Sequence, residues 1–316
     1  MRYRQLGRWG LRVSELALGG WTTFGGSVRD EQLIRRIMLR AYEAGVDYFD
    51  IADVYAHGEA ERLMGRVLAE LPRHTLVVAT KVFFPMSEDP NDRGLGRKHV
   101  HESIDRSLQR LGMDYVDLYF AHRHDPEVPL EEVVRAFSDL VDRGKVLYWG
   151  TSEWPVDAVE RAVVIAREGG WHPPVVEQPE YSLVRRRVEA DLFPLVERFG
   201  LGVVVWSPLG QGLLTGKYDA GILDGSRFDR LPQFTRRLWT EENRRRVLAM
   251  QDVAVESGLT RAQLALSWVL SRRQVSSAIL GATSMEQLEE NLEAAEAVVD
   301  PALMERLDEL FAGGGE

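Results

Sequence analysis

Cysteine is absent from this sequence of 316 residues. Disulfide bonds, cysteine-ligated zinc and thiol catalysis are therefore excluded. Long apolar runs are missing too, since no stretch approaches the roughly 18 apolar residues of a membrane-spanning helix. The N-terminus also lacks the apolar core of a signal peptide. We therefore expect a cytoplasmic location and no membrane partner.

Positive charge is scarce as well. The formal net charge is −10, and only four of the 39 basic residues are lysines, at positions 81, 98, 145 and 217. A surface that binds nucleic acid gathers an excess of Lys and Arg on one face, so this balance argues against a nucleic-acid partner. Apolar side chains make up 45% of the chain, which is enough to bury a large core and argues against disorder.

Short apolar runs alternate with helical patterns along nearly the whole sequence. Eight runs are typical of strands buried on both faces: SELALGG, VDYFDIA, LVVATKV, YVDLYFA, VLYWGTS, VVEQPEY, GVVVWSP and SSAILGA. Between them lie segments whose apolar residues recur about every 3.6 positions, such as EQLIRRIMLRAYEAG and LEEVVRAFSDLVDRG. Eight strand and helix units predict a closed (β/α)8 barrel of the TIM type, in the α/β class, whose usual length is ~250 residues.

No linker or shift in composition divides the chain, so we expect residues 1–316 to form a single domain. Residues 1–12 are predicted to form a hairpin across the bottom of the barrel, and residues 300–311 an extra C-terminal helix. Two long connections, residues 82–98 and 208–234, are typical of lids or binding loops. Several predicted helices end in glycine, as a left-handed C-cap requires, at Gly45, Gly112, Gly144 and Gly200.

Titratable side chains follow three consecutive predicted strands. Asp50 and Tyr55 come after the second strand, Lys81 ends the third and His122 ends the fourth. In a barrel these strand ends converge on one mouth, and the set indicates proton transfer. A lysine cation ~4 Å from a phenol favours the phenolate by ~1 to 4 kcal/mol, so we expect a lowered pKa for Tyr55. Taken singly, each residue also has an ordinary interpretation. Lys81 and Asp50 could form a structural ion pair, Tyr55 could be a half-buried packing residue, and His122 could be a hydrogen-bonded histidine.

A second polar and aromatic set follows the fifth, sixth and seventh strands and suits a nicotinamide. Trp206 offers a flat face for stacking, while Ser152 and Gln178 can hydrogen-bond a carboxamide. Packing and core polar pairing are the alternatives for these residues. No G-x-G-x-x-G fingerprint opens a helix, although the glycines of GQGLLTG could let the backbone approach a pyrophosphate. Lys217, Arg227 and the N-terminus of the helix in ATSMEQLEEN are candidates for holding phosphates, against the alternative of ordinary surface charge.

The motifs DIADVY and YFAHR, together with Lys81, carry a resemblance to the aldo-keto reductase family. The resemblance covers essentially the whole chain, from LALGGWTTFGG to ILGATSMEQLEENL. It is closest to the branch that contains the voltage-gated potassium channel beta subunits and their bacterial relatives, through YWGTSEW, EQPEYS and WSPLGQGLLTGKYDAG. In those subunits an Asn takes the place of His122. Glu153 departs from the family pattern, which has Asn there, and from the channel subunits, which have Arg.

The resemblance implies an oxidoreductase that reversibly transfers hydride between NADP(H) and an aldehyde or ketone. Tyr55 would be the general acid, Asp50 and Lys81 would tune it, and His122 would orient the carbonyl substrate. The implied cofactor residues are Trp21, Asp50, Ser152, Gln178, Trp206, Ser207, Pro208, Leu209, Gly212, Lys217, Arg227, Gly281, Thr283, Gln287, Glu290 and Asn291. The predicted substrate pocket consists of Trp21, Tyr55, Phe83, Phe84, His122 and His124. The branch also implies a homo-oligomer, a tetramer or larger.

Two other functions are compatible with parts of the pattern. His122, His124 and Asp125 superficially match a metal-binding H-x-H pair, but a metal centre needs further ligands and Lys81 would repel a cation. We therefore predict no metal. The second alternative is a cofactor-loaded regulatory or binding module with little turnover, and the presence of His122 favours an enzyme over this module.

Overall fold

Eight parallel strands close into a barrel in the computed structural model, which describes residues 1–313. Around the barrel the strands follow the order β10, β3, β4, β5, β6, β7, β8, β9. Their bounds are β3 Leu16–Gly19, β4 Tyr48–Asp50, β5 Val77–Val82, β6 Val116–Ala121, β7 Val146–Ser152, β8 Val176–Gln178, β9 Gly202–Trp206 and β10 Val275–Leu280. Each corresponds to one of the eight apolar runs, so the predicted barrel is confirmed.

Helices surround the barrel and alternate with its strands. Their bounds are α1 Glu31–Glu43, α2 Glu59–Leu68, α3 Arg97–Leu111, α4 Leu130–Asp142, α5 Val156–Glu168, α6 Leu192–Phe199, α7 Arg227–Arg230, α8 Pro232–Leu238, α9 Glu241–Ser257, α10 Arg261–Leu270, α11 Met285–Glu293 and α12 Pro301–Leu310. The last of these is the predicted C-terminal helix. None of the helices within residues 1–313 has the length and apolar character needed to cross a bilayer.

The helices form where the sequence supplies an apolar stripe and a defined end. In α1 the buried residues Ile34, Ile37, Met38 and Ala41 recur at helical spacing, and Asp30 caps the first turn by accepting hydrogen bonds from two backbone amides. The glycines predicted to end helices, at positions 45, 112, 144 and 200, all have φ between 67° and 91°. The left-handed caps are therefore confirmed.

An antiparallel hairpin closes the N-terminal end of the barrel. Its strands are β1 Tyr3–Gln5 and β2 Arg12–Ser14, so it extends two residues beyond the predicted range. Leu6 and Val13 are fully buried in one cluster with barrel residues such as Tyr48. Gly7 has a φ of 59°, and a Cβ there would lie 2.4 Å from the carbonyl oxygen of Gly200. A glycine is required here because the hairpin turn touches the backbone at the start of β9.

The two long connections differ in structure. Residues 83–96 contain no helix or strand, and the loop is closed by backbone hydrogen bonds such as that from Gly94 to Phe83 at 2.7 Å. The connection predicted as a loop at residues 208–234 contains a 3-10 turn, Gly210–Thr215, then α7 and the start of α8. The rings of Tyr218 and Phe228 stack there with centroids 4.4 Å apart and fix the segment against itself.

Candidate active site

Three candidate side chains meet at the C-terminal end of the barrel because their strands are parallel neighbours. Asp50 is the last residue of β4, Lys81 is the second-last residue of β5, and His122 directly follows β6. Carboxyl ends of parallel strands open on one mouth, so residues from distant parts of the sequence are delivered to the same place. The predicted convergence of these residues is observed.

Lys81 connects the other members of this group. Its side chain is completely buried, and the ammonium donates hydrogen bonds to the Asp50 Oδ2 at 2.6 Å, the Ile51 carbonyl at 2.6 Å and the Tyr55 hydroxyl at 3.2 Å. An ammonium group has three protons, so these acceptors use its full donor capacity. Because the Tyr55 oxygen accepts from Lys81, its own proton is left to be donated into the cavity that Tyr55 lines.

The turn that carries Tyr55 is conformationally strained. Ala56 and His57, which follow it, have φ of 49° and 53°, and Gly58 has a φ of 84° before α2 begins. Two successive non-glycine residues in the left-handed region cost free energy that the surrounding structure must offset. The turn directs the phenol back over the barrel mouth before α2 carries the chain away.

The expected lowering of the Tyr55 pKa is wrong for this structure. Burial raises the pKa of Tyr55 well above its usual value, and the negative charge of Asp50 raises it further, while Arg123 acts in the opposite direction. Burial also lowers the pKa of Lys81, against the effect of Asp50. A nearby ammonium lowers the pKa of a phenol, but removing the phenol from water raises it, and burial is the largest effect on Tyr55. Tyr55 therefore keeps its proton at neutral pH.

His122 is a neutral imidazole beside the phenol. Burial, followed by the charges of Lys81 and Arg123, lowers its pKa well below the usual value. Its ring lies edge-on to Tyr55 and to Phe84, with centroids 5.9 and 5.0 Å apart. The Nδ1 atom is buried and has no hydrogen-bond partner among the described residues. An unsatisfied polar atom in this position is unusual and marks the histidine as a functional candidate.

Gln178 and Ser152 form hydrogen bonds that help to hold Asp50 in place. The second carboxylate oxygen of Asp50, Oδ1, accepts a hydrogen bond from the Gln178 side-chain amide at 2.9 Å. The Ser152 hydroxyl donates to the Gln178 backbone carbonyl at 3.0 Å. Both residues line the cavity, as expected of carboxamide ligands, but the Gln178 amide nitrogen already holds the carboxylate. With both oxygens occupied, Asp50 has a fixed orientation.

A cavity of about 930 Å³ opens above these residues. Its wall includes Asp50, Tyr55 and His122, while Lys81 lies buried behind it. All sixteen predicted cofactor residues line the cavity: Trp21, Asp50, Ser152, Gln178, Trp206, Ser207, Pro208, Leu209, Gly212, Lys217, Arg227, Gly281, Thr283, Gln287, Glu290 and Asn291. The structure thus brings the set together, and what the set binds stays a prediction.

The predicted substrate pocket is brought together only in part. Trp21, Tyr55 and His122 line the cavity, but Phe83, Phe84 and His124 are not among its lining residues. Phe84 forms a second layer behind His122, and Phe83 packs edge-on to Phe84 with centroids 5.3 Å apart. The His124 ring contacts Trp154 instead, with centroids 5.1 Å apart. Position in the loop after a strand could not indicate which side chains reach the cavity surface.

The cavity contains positive charge that the protein does not neutralise. Within residues 1–313, neither Lys217 nor Arg227 has a carboxylate within ion-pair distance, although both line the wall. Arg227 is held by the Gln211 Oε1 at 3.1 Å and lies over the Trp21 ring at 5.7 Å. Burial lowers the pKa of its guanidinium. Arg227 is partly buried, a cation removed from water without a counter-charge is costly, and an anion bound in the cavity would relieve that cost.

Glu153, which was not among the predicted site residues, contacts the wall of the cavity. Its carboxylate Oε1 accepts hydrogen bonds from the Trp206 indole nitrogen at 3.0 Å and from the Glu180 backbone amide at 2.5 Å. Its φ of 56° places it in the left-handed region, which is unusual for a glutamate. Trp206 in turn lies edge-on to Trp21, with centroids 6.0 Å apart. Glu153 thus orients an aromatic wall of the cavity, and its departure from the family pattern was the available signal.

Asp53 is a second residue whose environment the sequence did not reveal. It is fully buried, and its two oxygens accept hydrogen bonds from the Val54 amide at 2.6 Å and the Ser103 hydroxyl at 2.9 Å. Burial, followed by the charge of Glu61, raises its pKa to about 7. These bonds attach the turn that carries Tyr55 to α3.

His122 and His124 do not converge as a metal pair, because one ring faces Tyr55 and the other packs on Trp154. Within residues 1–313, no group of three or more His, Asp or Glu side chains is arranged to hold a metal ion.

The barrel fold agrees with the family to which the sequence is similar. A model of the Aldo/keto reductase family matches residues 15–312. The chain therefore belongs to the aldo/keto reductase family, and this membership supports an oxidoreductase activity.

Three relatives show to which branch of the family the chain is similar. A Schizosaccharomyces pombe protein named "Putative voltage-gated potassium channel subunit beta" is 43% identical, over 98% of this chain and 93% of its own length. Proteins named "Probable voltage-gated potassium channel subunit beta" are 41% identical in Oryza sativa subsp. japonica and 40% in Arabidopsis thaliana. They cover 98% of this chain and 96% and 97% of their own lengths. The branch predicted from the motifs is confirmed.

Proposed function

We propose that this protein is an NADP(H)-dependent aldo-keto reductase that converts an aldehyde or ketone to an alcohol, with Tyr55 as the general acid. The observation that carries the proposal is the position of the Tyr55 hydroxyl. It accepts a hydrogen bond from Lys81, lines a large cavity and lies beside the neutral ring of His122. This is the arrangement needed to deliver a proton to a carbonyl oxygen.

The cavity fits a phosphate-bearing dinucleotide. Arg227 and Lys217 supply cations that lack a carboxylate partner within the described part of the chain. Gly212 and Gly216 have φ of 92° and 80°, and a Cβ at either would collide with the side chain of Lys217 or Arg261. These glycines keep the basic side chains close to the wall. Trp206 and Trp21 provide aromatic surface for a planar ring.

Bound NADPH would supply the hydride, and the protein's own residues would control the proton and the carbonyl. Tyr55 donates its proton to the carbonyl oxygen as negative charge develops there. Lys81 remains within hydrogen-bond distance of the same phenol and stabilises the phenolate left behind. Asp50 offsets the buried charge of Lys81 and holds it in place. His122, uncharged, is available to hydrogen-bond the carbonyl oxygen without repelling Lys81.

Two measurements test the proposal. Titration of the protein's tryptophan fluorescence with NADPH and NADH should show tight NADPH binding, because the cavity has cations for an additional phosphate. Nicotinamide absorbance should then fall when NADPH and a panel of aldehydes and ketones are added. Failure of the protein to bind either nucleotide would overturn the proposal at its first step.

The names of the relatives favour a second candidate, a cofactor-loaded module that regulates or binds another protein. It shares the cofactor site but requires no turnover. The module would be favoured over the enzyme if NADPH bound saturably but no carbonyl were reduced. This would have to hold both in multiple turnover and in a single turnover of bound NADPH. The branch also supports a homo-oligomer, a tetramer or larger, which sedimentation velocity would test. A single domain and a cytoplasmic location stay predictions.

A further inference from the structure

One cation at the mouth of the barrel, Arg123, forms no hydrogen bond to the Tyr55 hydroxyl or to Lys81, although its charge lowers the pKa of His122 and acts against the raised pKa of Tyr55. Arg123 directly follows His122 and lines the same cavity as Tyr55. Within residues 1–313 it has no carboxylate at ion-pair distance, and its one hydrogen bond runs from Nη1 to the adjacent His122 carbonyl. Its guanidinium carbon lies over the Phe84 ring at 5.6 Å from the centroid.

The nearest acidic residue along the chain does not neutralise it. Asp125 accepts backbone hydrogen bonds from Leu95 at 2.8 Å and Glu127 at 3.1 Å, so its two oxygens fix loops. Asp50, the acid beside Tyr55 on the cavity wall, is occupied by Lys81 and Gln178. Since the charges of Asp50 and Lys81 compensate each other, Arg123 leaves a net positive charge near the proton donor.

This charge lies on a different side of the mouth from the cations assigned to the cofactor. Arg123 follows β6, whereas Lys217 and Arg227 belong to the segment that follows β9. Around the barrel, β7 and β8 separate those two strands on one side, and β5, β4, β3 and β10 separate them on the other. The cofactor phosphates and Arg123 therefore have separate locations at the rim.

We infer that Arg123 recognises an anionic group on the substrate, so that the preferred substrates are aldehydes or ketones carrying a carboxylate or a phosphate. The inference rests on the proposed reductase function and names its substrate class. A guanidinium presents several N–H groups in a plane and can bind either anion through paired hydrogen bonds. Contact with the face of the Phe84 ring limits the rotation of the guanidinium, and Arg123 forms part of the cavity wall.

The test compares matched carbonyl pairs that differ in one charged group. Succinic semialdehyde is compared with butanal, and glycolaldehyde phosphate with glycolaldehyde, each in steady state with saturating NADPH. The wild type should prefer the anionic member of at least one pair by about tenfold or more in kcat/KM, since a hydrogen bond to a charged group is worth roughly that. The pair that shows the larger preference identifies carboxylate or phosphate as the recognised anion. Preference should shrink as salt is added if it is electrostatic.

Three variants separate recognition from other roles. Arg123→Gln should lower kcat/KM for the anionic members by about ten- to hundredfold. It should change kcat/KM for the neutral members, and the NADPH dissociation constant, by less than about threefold. Arg123→Lys keeps the positive charge but lacks the planar set of N–H donors, so it should retain part of the preference for the anionic members. Arg36→Gln is the matched control, since it removes one exposed charge on α1, on the outside of the barrel.

Several results would overturn the inference while leaving the reductase proposal standing. One is a wild type that reduces the neutral aldehydes as well as the anionic ones. Another is an Arg123→Gln variant that loses activity equally on both members of a pair, or loses NADPH affinity, which would assign Arg123 to folding or to the cofactor. Thermal unfolding of each variant identifies the folding case. A protein that binds NADPH but reduces no carbonyl of any class would instead reject the proposed function itself.

Discussion

The ammonium nitrogen of Lys81 lies 3.2 Å from the hydroxyl oxygen of Tyr55 and donates to it. The same nitrogen gives its other two protons to the Asp50 carboxylate and the Ile51 carbonyl. This relationship leaves the phenol proton facing the cavity, because the phenol oxygen already accepts a hydrogen bond from Lys81 on the side of the protein interior. In the proposed reaction Tyr55 loses this proton to a bound carbonyl and leaves its negative charge beside the Lys81 cation.

Replacing Tyr55 with phenylalanine tests that role. Tyr55→Phe removes the donor but keeps the ring that packs edge-on against His122. We expect kcat for carbonyl reduction to fall by about 10² to 10⁴, the usual contribution of a positioned acid, while the NADPH dissociation constant changes less than about threefold. Tyr115→Phe is the control, because Tyr115 lies just before β6, at the N-terminal end of the barrel. Activity retained in Tyr55→Phe would assign the acid elsewhere.

The pH dependence should differ between the two directions of reaction. Burial, and then Asp50, raises the pKa of Tyr55, so the phenol stays protonated through neutral pH. Reduction requires this protonated form, so its rate should stay level between about pH 6 and 9. Alcohol oxidation needs the proton to leave Tyr55, so its rate should rise over the same range. His122 adds no acid limb there, because burial lowers its pKa well below the usual value.

Rapid-mixing measurements of hydride transfer in both directions would check this, since slow product release can mask the chemical step. A reduction rate that declines steadily from pH 6 upward would contradict the raised phenol pKa.

Arg227 should control the choice between NADPH and NADH. It is a partly buried cation with no carboxylate partner in the described residues, and we propose that it binds the adenosine 2′-phosphate, which NADH lacks. Arg227→Gln should raise the NADPH dissociation constant by about ten- to hundredfold, as expected for loss of a charge-assisted hydrogen bond, and should change NADH binding little. Fluorescence titration with both nucleotides measures the difference. Arg236→Gln, which removes an exposed charge from nearby α8, is the control. Equal weakening of both nucleotides would place Arg227 away from the distinguishing phosphate.

Much of the barrel could be predicted from the sequence because its determinants are local. Each buried strand is a short apolar run, and a helix end such as Gly112 is marked by a residue able to adopt positive φ. Asp50, Lys81 and His122 could be located because strand ends in a parallel barrel converge whatever the details of packing.

Other features depend on packing that the sequence does not display. The raised pKa of Tyr55 follows from burial that only the assembled barrel produces. The helices of the segment after β9 were taken for a loop, since their stability rests on contacts such as the Tyr218–Phe228 stack. Whether Phe84 reaches the cavity or backs His122 depends on the path of the loop after β5.

Glu153 provides the last prediction, because it orients Trp206 without lining the cavity itself. Its Oε1 accepts both the Trp206 indole proton and the Glu180 amide proton. Glu153→Ala removes this acceptor and should weaken NADPH and NADH equally, by about three- to tenfold, the value of a typical hydrogen bond, with a smaller effect on kcat. Glu153→Gln keeps an acceptor oxygen and should restore near-normal affinity. If the glutamine variant were as weak as the alanine variant, the negative charge of Glu153 would matter rather than its hydrogen bonds. A loss of affinity confined to NADPH would show that Glu153 acts near the adenosine 2′-phosphate of the cofactor and does not position Trp206.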